Sequence, residues 1–388
     1  MSLDPRRLAV ALAGYCAFLN LYSPQALLPV LAREFGASAG RISAVMTASS
    51  FAIALTAPFT GAVADVLGRK RVITCAMLAM TVPMAMVATA ASVDDLVVWR
   101  FVQGLLLPPI FAVTVAYIGD EWPPAEVAGV AGLYVSGSSL GGFSGRLIPG
   151  VLTDLIGWRF ALASLAVLTL IGGIAFALLL EPERRFVRSA GVFASLRQMA
   201  RNLRDPRLLA FYAVGFGVLF NFMAVFTYVS FHLAAPPYLL TPSMLGAIFV
   251  TYLAGTATAP LVGRAVGRLG RRNFVLGLIA VWAVGALLLL LPSLAVIIAG
   301  LTLCAMCGMM CQAVSTSAVT ATAQVGRSSA VGLYVTAFYV GGSAGASLPG
   351  LAWQSFGWPA AVAMTLAMLA LMALVVALGW GKAEARGA

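Results

Sequence analysis

The sequence predicts an all-α membrane protein with twelve transmembrane helices, arranged as two six-helix bundles that share one orientation. Three observations lead to this fold class. The chain of 388 residues is 61% hydrophobic and 10% charged, which is too apolar for a soluble protein of this length. Its apolar runs reach the roughly 20 residues that a helix needs to cross a bilayer, whereas a barrel would show alternating segments of about ten residues. The third observation is an internal repeat.

The repeat relates residues 132–158 to residues 332–358. The two copies share these pairs: Gly132/Gly332, Leu133/Leu333, Tyr134/Tyr334, Val135/Val335, Gly141/Gly341, Gly142/Gly342, Gly145/Gly345, Pro149/Pro349, Gly150/Gly350, Gly157/Gly357 and Trp158/Trp358. They differ where Arg146 lies among glycines and its counterpart is Ala346. We therefore interpret the duplication as the scaffold and this asymmetry as the mark of the functional site.

The predicted spans follow the apolar runs and are separated by short joints with Gly, Pro or charge. They are 8–31, 42–63, 72–91, 96–118, 127–153, 160–180, 208–231, 244–262, 274–291, 294–316, 330–352 and 360–380. The first run continues past Pro29 without a small-residue cleavage site, so it predicts a retained helix rather than a signal peptide. The chain thus divides into a bundle at 1–180, a loop at 181–207 and a second bundle at 208–388.

The Lys and Arg residues predict the orientation in the membrane. Residues of the two termini, of the 181–207 loop and of the loops after the second, eighth and tenth spans fall on one side, and only Arg33, Arg41 and Arg159 fall on the other. The positive-inside rule places the first side, with both termini, in the cytoplasm. This distribution accounts for the net charge of +11 without a nucleic-acid partner.

A second repeated segment lies between the second and third spans of each half. Residues 58–71 carry Gly61, Asp65, Gly68, Arg69, Lys70 and Arg71, and residues 260–272 carry Gly263, Gly270 and Arg271. The first helices also correspond, with Asn20 matching Asn221. Since each half has six spans, the repeats are parallel and related by an axis along the membrane normal. The seam between the halves is the expected solute path.

The pattern of Gly61, Asp65, Gly68, Arg69 and Lys70 resembles the signature of the major facilitator superfamily, and the resemblance extends over essentially the whole chain. In that family the loop aspartate is thought to hold the inner face closed by meeting a helix N-terminus, which the helix dipole favours. The resemblance implies this role for Asp65. The usual basic residue after it is Val66 here, and Gly267 replaces the aspartate in the second copy.

Two further motifs are similar to those of the family. Arg100, Gln103 and Gly104 match its fourth-helix R-x-x-Q-G motif, whose arginine is tied to proton coupling or substrate binding. Gly137, Gly141, Gly142 and Gly145 are similar to the fifth-helix motif of the drug:proton antiporter branch, although Arg146 stands where that motif has proline. A bacterial subgroup of uncharacterised sugar or drug efflux proteins is the most similar.

The two arginines within spans, Arg100 and Arg146, are the leading candidates for substrate binding. A charge near the bilayer centre costs at least about 2.5–3.5 kcal/mol and is a functional hypothesis by default. The alternatives are binding of an anionic or carbonyl-rich solute, or snorkelling to the interface with hydrogen bonds to backbone carbonyls. Six more polar residues either line a central cavity or join helices by hydrogen bonds: Asn20, Tyr22, Gln25, Asn221, Tyr228 and Gln312.

The carrier of a coupled proton is left open, because the spans hold no central carboxylate. Candidates are Asp65, Asp120, Glu121 and Asp154 at span ends and His232, the one histidine; titration of the substrate itself is an equal alternative. Cys304, Cys307 and Cys311 share a helical face and suit copper(I), but ordinary packing explains them better. We predict no metal site and no cofactor.

Function follows from the resemblance and the charges. The leading hypothesis is a secondary transporter working by alternating access that exports a sugar or drug-like solute by proton antiport; the alternative is uptake or exchange of an organic anion bound by Arg100 and Arg146. A non-transporting sensor is a third hypothesis, and no catalytic cluster indicates an enzyme. The glycines at 137, 141 and 145 allow either sliding helices or static packing. We expect a monomer in the bacterial inner membrane, with lipid, solute and protons as partners.

Overall fold

The chain folds into α-helices that follow the predicted spans. A computed structural model describes residues 4–183, 192–258, 261–323 and 327–381, and no strand occurs in them. The helices are α1 Pro5–Tyr22, α2 Leu28–Glu34, α3 Ala39–Leu67, α4 Arg69–Ala88, α5 Val93–Glu121, α6 Pro124–Ile156, α7 Trp158–Leu179, α8 Val192–Asn202, α9 Pro206–Ala234, α10 Pro242–Ile248, α11 Thr251–Thr258, α12 Val262–Leu269, α13 Arg271–Leu288, α14 Leu294–Thr322 and α15 Arg327–Gly379. The predicted all-α membrane class is confirmed.

Helix covers most of each predicted span, with three departures from one helix per span. The first span is interrupted after Tyr22, and a 3₁₀ turn at Gln25–Leu27 leads into α2. The eighth span is divided among α10, α11 and α12. The last two spans follow each other directly within α15, as two helices that meet at a kink at Gly357, where φ is 58°. Within the described ranges, eight helices are long and apolar enough to cross a membrane, or nine with the bent pair α10–α12.

The repeat is visible in the backbone at the tight joints. Gly68 separates α3 from α4 and its copy Gly270 separates α12 from α13, while Gly157 and Gly357 begin the last helix of each half. All four glycines have positive φ, between 58° and 92°, which residues with a Cβ adopt at a cost. The duplicated glycines therefore place the same sharp turns in both halves.

The chain contacts group into two units. Unit 1 contains residues 1–37, 48–192 and 240–249, and unit 2 contains residues 38–47, 193–239 and 250–388. Two short segments thus pack in the unit formed mainly by the other half of the sequence. We call residues 38–47 the first exchanged segment and residues 240–249 the second exchanged segment. The predicted bundle boundaries at 1–180 and 208–388 stay a prediction.

In each unit the glycine repeat brings two helix backbones into contact. A Cβ at Gly137, Gly141 or Gly145 of α6 would fall on the backbone of α1, at Ala11, Tyr15 and Leu19. A Cβ at Gly341 or Gly345 of α15 would fall on the backbone of α9, at Phe216 and Phe220. Glycine is required at these positions by close approach rather than by φ, and the packing prediction for the repeat is met in both units.

The 181–207 loop holds the short helix α8, whose Arg197 and Arg201 are exposed. Asp205 begins α9 as its N-cap by accepting a hydrogen bond from the Arg207 amide at 2.9 Å. Arg184, Arg185, Arg188, Lys382 and Arg386, which contributed to the orientation prediction, lie outside the described residues.

Candidate functional site

Arg100 lies on α5 and is fully buried, with 0% of its surface exposed. Its Nη1 donates to the Asn20 carbonyl at 2.9 Å and to Gln103 Oε1 at 2.6 Å. Its Nη2 donates to the Leu21 carbonyl at 2.5 Å and to Ser49 Oγ at 3.0 Å. Both terminal nitrogens are therefore occupied by protein acceptors, and the residue does not snorkel to an interface.

Pro24 explains why an arginine is placed there. In a continuous helix the Asn20 carbonyl would accept from the amide of residue 24, and proline has no amide hydrogen. Within a bilayer a freed backbone group must be satisfied by a neighbouring helix or side chain. Arg100 supplies that donor together with the Ser23 hydroxyl, which lies 3.1 Å from the same carbonyl. The Arg100 guanidinium thus caps the C-terminal carbonyls of α1, as a donor from another helix.

Arg146 lies on α6 and is 1% exposed. Its Nε donates to Gln25 Oε1 at 2.8 Å and its Nη1 to the Gly142 carbonyl at 2.6 Å. The guanidinium carbon lies 3.8 Å from the Tyr22 ring centroid and 4.3 Å from that of Phe249. The cation therefore contacts two aromatic rings, both within cation–π range. We call Tyr22, Gln25 and Phe249 around Arg146 the arginine cage.

The two arginines are linked through the interruption of the first span. Arg100 holds the carbonyls of Asn20 and Leu21, and the residues that follow, Tyr22 and Gln25, contact Arg146. A charged side chain on α5 thus fixes the backbone that presents two cage residues to α6. The sequence indicated both arginines, but not that they act on the same turn.

The other polar candidates separate into local contacts. Asn20 donates to Thr169 Oγ1 at 2.9 Å and to the Cys16 carbonyl at 2.8 Å, which joins α1 to α7. In unit 2 the Asn221 amide lies 3.5 Å from Met372 Sδ, and Tyr228 donates to the Ala346 carbonyl at 2.7 Å. Gln312 is half-buried on α14. Cavity lining by these residues stays a prediction.

The signature loop contains an ion-pair cluster. Arg69 contacts Asp120 of α5 and lies 3.6 Å from Asp65 on the preceding turn. Glu183 accepts from the Lys70 amide at 2.9 Å, at the N-terminus of α4, where the helix dipole favours a carboxylate. Arg71 is exposed, and Gly61 and Gly263 have open space around them. Gating by this loop stays a prediction.

The remaining titratable and sulfur candidates take ordinary packing positions. The His232 ring stacks on Trp358 with 5.2 Å between centroids and meets Tyr238 edge to face at 5.4 Å. Cys304, Cys307 and Cys311 are buried free thiols on α14. Across the described part of the chain, no three His, Cys, Asp or Glu side chains are grouped so that they could hold a metal ion.

Sequence reasoning missed three participants in this site. Ser49 and Phe249 are ordinary apolar-span residues by composition, and their contacts with Arg100 and Arg146 join segments far apart in the chain. The role of Pro24 was readable in principle, since it lies four residues after the carbonyl that Arg100 binds.

Comparison with known proteins identifies the family to which this architecture belongs. A family model described as Major Facilitator Superfamily matches residues 10–255 and 231–387. The inner membrane transport protein YnfM of Escherichia coli is 32% identical over 372 residues, covering 95% of this chain and 88% of that protein. The uncharacterized MFS-type transporter YybF of Bacillus subtilis is 30% identical over 358 residues, covering 92% of this chain and 89% of that protein.

Solved structures show the same fold at low sequence identity. The nucleoside transporter NupG, in a variant form, superposes with a TM-score of 0.79 at 14% identity, covering 97% of this chain and 100% of that chain. The human organic anion transporter MFSD10 superposes with a TM-score of 0.71 at 18% identity, covering 96% of this chain and 99% of that chain. Because the family model spans nearly the whole sequence and the relatives are similar end to end, this chain is a multi-pass membrane transporter of the Major Facilitator Superfamily.

Proposed function

We propose that this transporter works by alternating access and exports a small organic solute, sugar-like or drug-like, in exchange for protons. The observation that carries the proposal is the pair of glycine-lined contacts, α1 against α6 and α9 against α15. Their backbones meet without interlocking side chains, so that one helix can shift along the other at small energetic cost. The fifth-helix resemblance to drug:proton antiporters adds the direction and the coupling ion.

The exchanged segments support a moving scaffold. Each makes a close approach between glycine and backbone within its own unit, Gly40 against Gly350 in unit 2 and Gly150 against Pro242 in unit 1. At these glycines the helices meet without interlocking side chains, which suits contacts that separate and re-form. We propose that these contacts form in one state of the cycle and break in the other, in an inner membrane with both termini cytoplasmic.

Asp65 is the proposed gate residue. It shares Arg69 with Asp120, so that removal of either carboxylate would weaken the ion-pair cluster at the end of α3. The alternative, in which the solute itself carries the proton, requires no titrating side chain.

The test is transport by purified protein in proteoliposomes. With the vesicle lumen more acidic than the medium, we expect the vesicles to accumulate one labelled solute from a panel of sugars, carboxylates and cationic drugs. Addition of that solute should also dissipate the pH gradient. Asp65→Asn should uncouple flux from the gradient while solute binding persists. Flux that is insensitive to the gradient for every solute in the panel would eliminate proton antiport. Binding without any flux would favour the sensor hypothesis.

A second candidate function is uptake or exchange of an organic anion, and the arginine cage favours it. Arg146 is a buried cation that donates to Gln25 and to the Gly142 carbonyl and contacts two rings, and its repeat counterpart is Ala346. Arg100 contributes to this candidate through the backbone rather than by contact, because its terminal nitrogens are bound to protein. Stimulation of labelled carboxylate efflux by external carboxylate, lost in Arg146→Gln, would support exchange.

A further inference from the structure

The short helix α12 presents two arginines on one face. Arg264 and Arg268 are four residues apart, so their side chains lie on the same side of the helix. Both side chains are exposed, and α12 contains no buried residue. The two guanidinium groups therefore form a positive surface that the protein does not cover. We call Arg264 and Arg268 the basic face of α12.

The second half of the chain has almost no negative charge with which to neutralise this face. Residues 206–388 contain a single acidic residue, Glu384, which lies outside the described residues. Like charges four residues apart on a helix repel each other, so an anion bound between Arg264 and Arg268 would stabilise α12. The sequence therefore requires the neutralising group to come from outside this half of the chain.

The corresponding loop of the first half neutralises its arginine internally. Arg69 contacts Asp120 and lies 3.6 Å from Asp65, four residues before it. In the repeat Arg69 corresponds to Arg271, whereas Asp65 corresponds to Gly267. The second loop thus retains the arginine after the turn and lacks the carboxylate before it.

The position of α12 places its basic face at the surface of a bilayer. Gly270 alone separates α12 from α13, which is long and apolar enough to cross a membrane. On a different face of α12 from the arginines lie Val262, Val266 and Leu269, and Leu269 is 56% exposed. A helix with basic residues on one face and exposed apolar residues on another lies in the plane of the membrane interface, at the level of the lipid headgroups.

We propose that the basic face of α12 binds the headgroup phosphate of an anionic phospholipid. Arginines form short, charge-assisted hydrogen bonds to phosphate oxygens, and an anionic lipid supplies the negative charge that this half of the chain lacks. A zwitterionic phospholipid has the same phosphate, but its ammonium group offsets the charge. This partner is independent of the solute that the protein transports and of the direction of transport.

The first experiment ranks three probes on the purified full-length protein in micelles of an uncharged maltoside detergent. Dioleoyl phosphatidylglycerol has the phosphate, a net negative charge and the acyl chains; dioleoyl phosphatidylcholine lacks the net charge; glycerol phosphate lacks the acyl chains. Phosphatidylglycerol should bind most tightly, as measured by native mass spectrometry of the lipid-bound protein and by the rise in its unfolding temperature. Glycerol phosphate should not displace it.

Charge removal tests the basic face directly. Arg264→Gln with Arg268→Gln should weaken phosphatidylglycerol binding about thirtyfold, and Arg268→Gln alone about fivefold, because each basic residue near an anionic lipid surface contributes a comparable amount. Arg33→Gln is the matched control for the single variant, since Arg33 is also exposed but is followed by Glu34 at the end of α2. It should leave the affinity unchanged.

Charge addition tests the comparison with the first loop. Gly267→Asp restores the carboxylate that Asp65 provides in the first half, and a Cβ at Gly267 meets open space, so the variant should fold. It should weaken phosphatidylglycerol binding about fivefold by neutralising one arginine. Gly267→Asn has the same shape without the charge and should bind phosphatidylglycerol as the wild type does.

Four results would overturn the inference. They are equal affinities of the wild type for phosphatidylglycerol and phosphatidylcholine, displacement of phosphatidylglycerol by glycerol phosphate, an unchanged affinity in Arg264→Gln with Arg268→Gln, and equal losses in Gly267→Asp and Gly267→Asn. The second result would identify a site for soluble phosphates rather than for lipid. The unfolding temperatures of all variants in lipid-free micelles show whether a loss of binding reflects the site or the fold.

Discussion

The two exchanged segments form corresponding contacts built from different side chains. The first exchanged segment packs on α15 in unit 2, with Gly40 against Gly350, and the second packs on α6 in unit 1, with Pro242 against Gly150. Gly150 and Gly350 are repeat counterparts, so the backbone geometry is duplicated. The duplication thus preserves the positions at which each exchanged segment approaches a helix backbone.

The side chains around these contacts are not duplicated. In unit 2 a hydroxyl network surrounds the contact: Tyr228 Oη lies 3.0 Å from Ser43 Oγ and donates to the Ala346 carbonyl, and Thr47 meets Ser347 at 3.3 Å. In unit 1 the same region holds Arg146, in contact with the rings of Tyr22 and Phe249, and Asp154 at the segment's first turn. The named contacts in unit 2 are thus between hydroxyls and a carbonyl, whereas those in unit 1 include a guanidinium and a carboxylate.

The largest expected effect on stability comes from the glycine contacts that both units share. Gly141→Val on α6 and its counterpart Gly341→Val on α15 would each push a side chain into a backbone carbonyl, of Tyr15 and of Phe216. We expect each to lower the free energy of unfolding by about 3 kcal/mol or more, seen as loss of folded protein in detergent and a lower unfolding temperature. Gly132→Ala, whose Cβ would meet open space, is the control and should be neutral or slightly stabilising.

If Gly341→Val were tolerated while Gly141→Val was not, the packing role of the repeat would be restricted to unit 1.

The next effect tests how unit 1 holds its cage. Arg100→Gln removes the donors to the carbonyls of Asn20 and Leu21 and should lower the free energy of unfolding by about 2 kcal/mol. Pro24→Ala restores an amide hydrogen at the position that can donate to Asn20, so the double variant Arg100→Gln with Pro24→Ala should recover about 1 kcal/mol. Thermal unfolding in detergent measures both changes.

Arg159→Gln is the matched control, because Arg159 also donates to a backbone carbonyl, that of Ala90 at 2.8 Å, but its side chain is partly exposed. It should change stability by less than about 1 kcal/mol, with no benefit from Pro24→Ala. Equal stabilities of Arg100→Gln with and without Pro24→Ala would show that Arg100 does not replace the missing amide.

The sequence was sufficient for the architecture because the fold is encoded in local and repeated signals. Span lengths, the glycine repeat and the joints at Gly68 and Gly157 follow from hydropathy and from the need for close approach or positive φ. The asymmetry between Arg146 and Ala346 stays a prediction of where the functional site lies. These signals depend on residue type and spacing alone.

The contacts around Arg100 and Arg146 could not be predicted from residue type and spacing. The interruption of the first span was missed, although Asn20, Ser23, Pro24 and Gln25 break its apolar run. The stacking of Phe249 on Arg146 depends on packing between segments more than a hundred residues apart in sequence. A phenylalanine in an apolar run carries no mark of such a partner. The composition of the arginine cage therefore depends on long-range packing, which sequence periodicity does not report.

A smaller effect tests the hydroxyl network of unit 2. Tyr228→Phe removes the hydrogen bond to the Ala346 carbonyl and the contact with Ser43, and should lower stability by about 1 kcal/mol. Ser43→Ala should cost less, because Tyr228 keeps its bond to Ala346. A double-mutant cycle on thermal stability measures the coupling between the two hydroxyls, for which we expect about 0.5 kcal/mol. Zero coupling would indicate that the contact between Tyr228 and Ser43 does not help to hold the first exchanged segment.

The smallest effect separates the two contacts by charge. Asp154 accepts from the Ser243 amide at the second exchanged segment, and its repeat counterpart Gln354 is exposed on α15. Asp154→Ala should lower stability by about 0.5 kcal/mol, because the bond is charge-assisted but solvent-accessible, whereas Gln354→Ala should have no measurable effect. Added salt screens exposed charge, so the difference between the two variants should shrink between low and high ionic strength. If it persisted unchanged in salt, the carboxylate charge would not be what holds the second exchanged segment on α6. The difference in side chains between the two contacts would then rest on Arg146 and the rings of Tyr22 and Phe249.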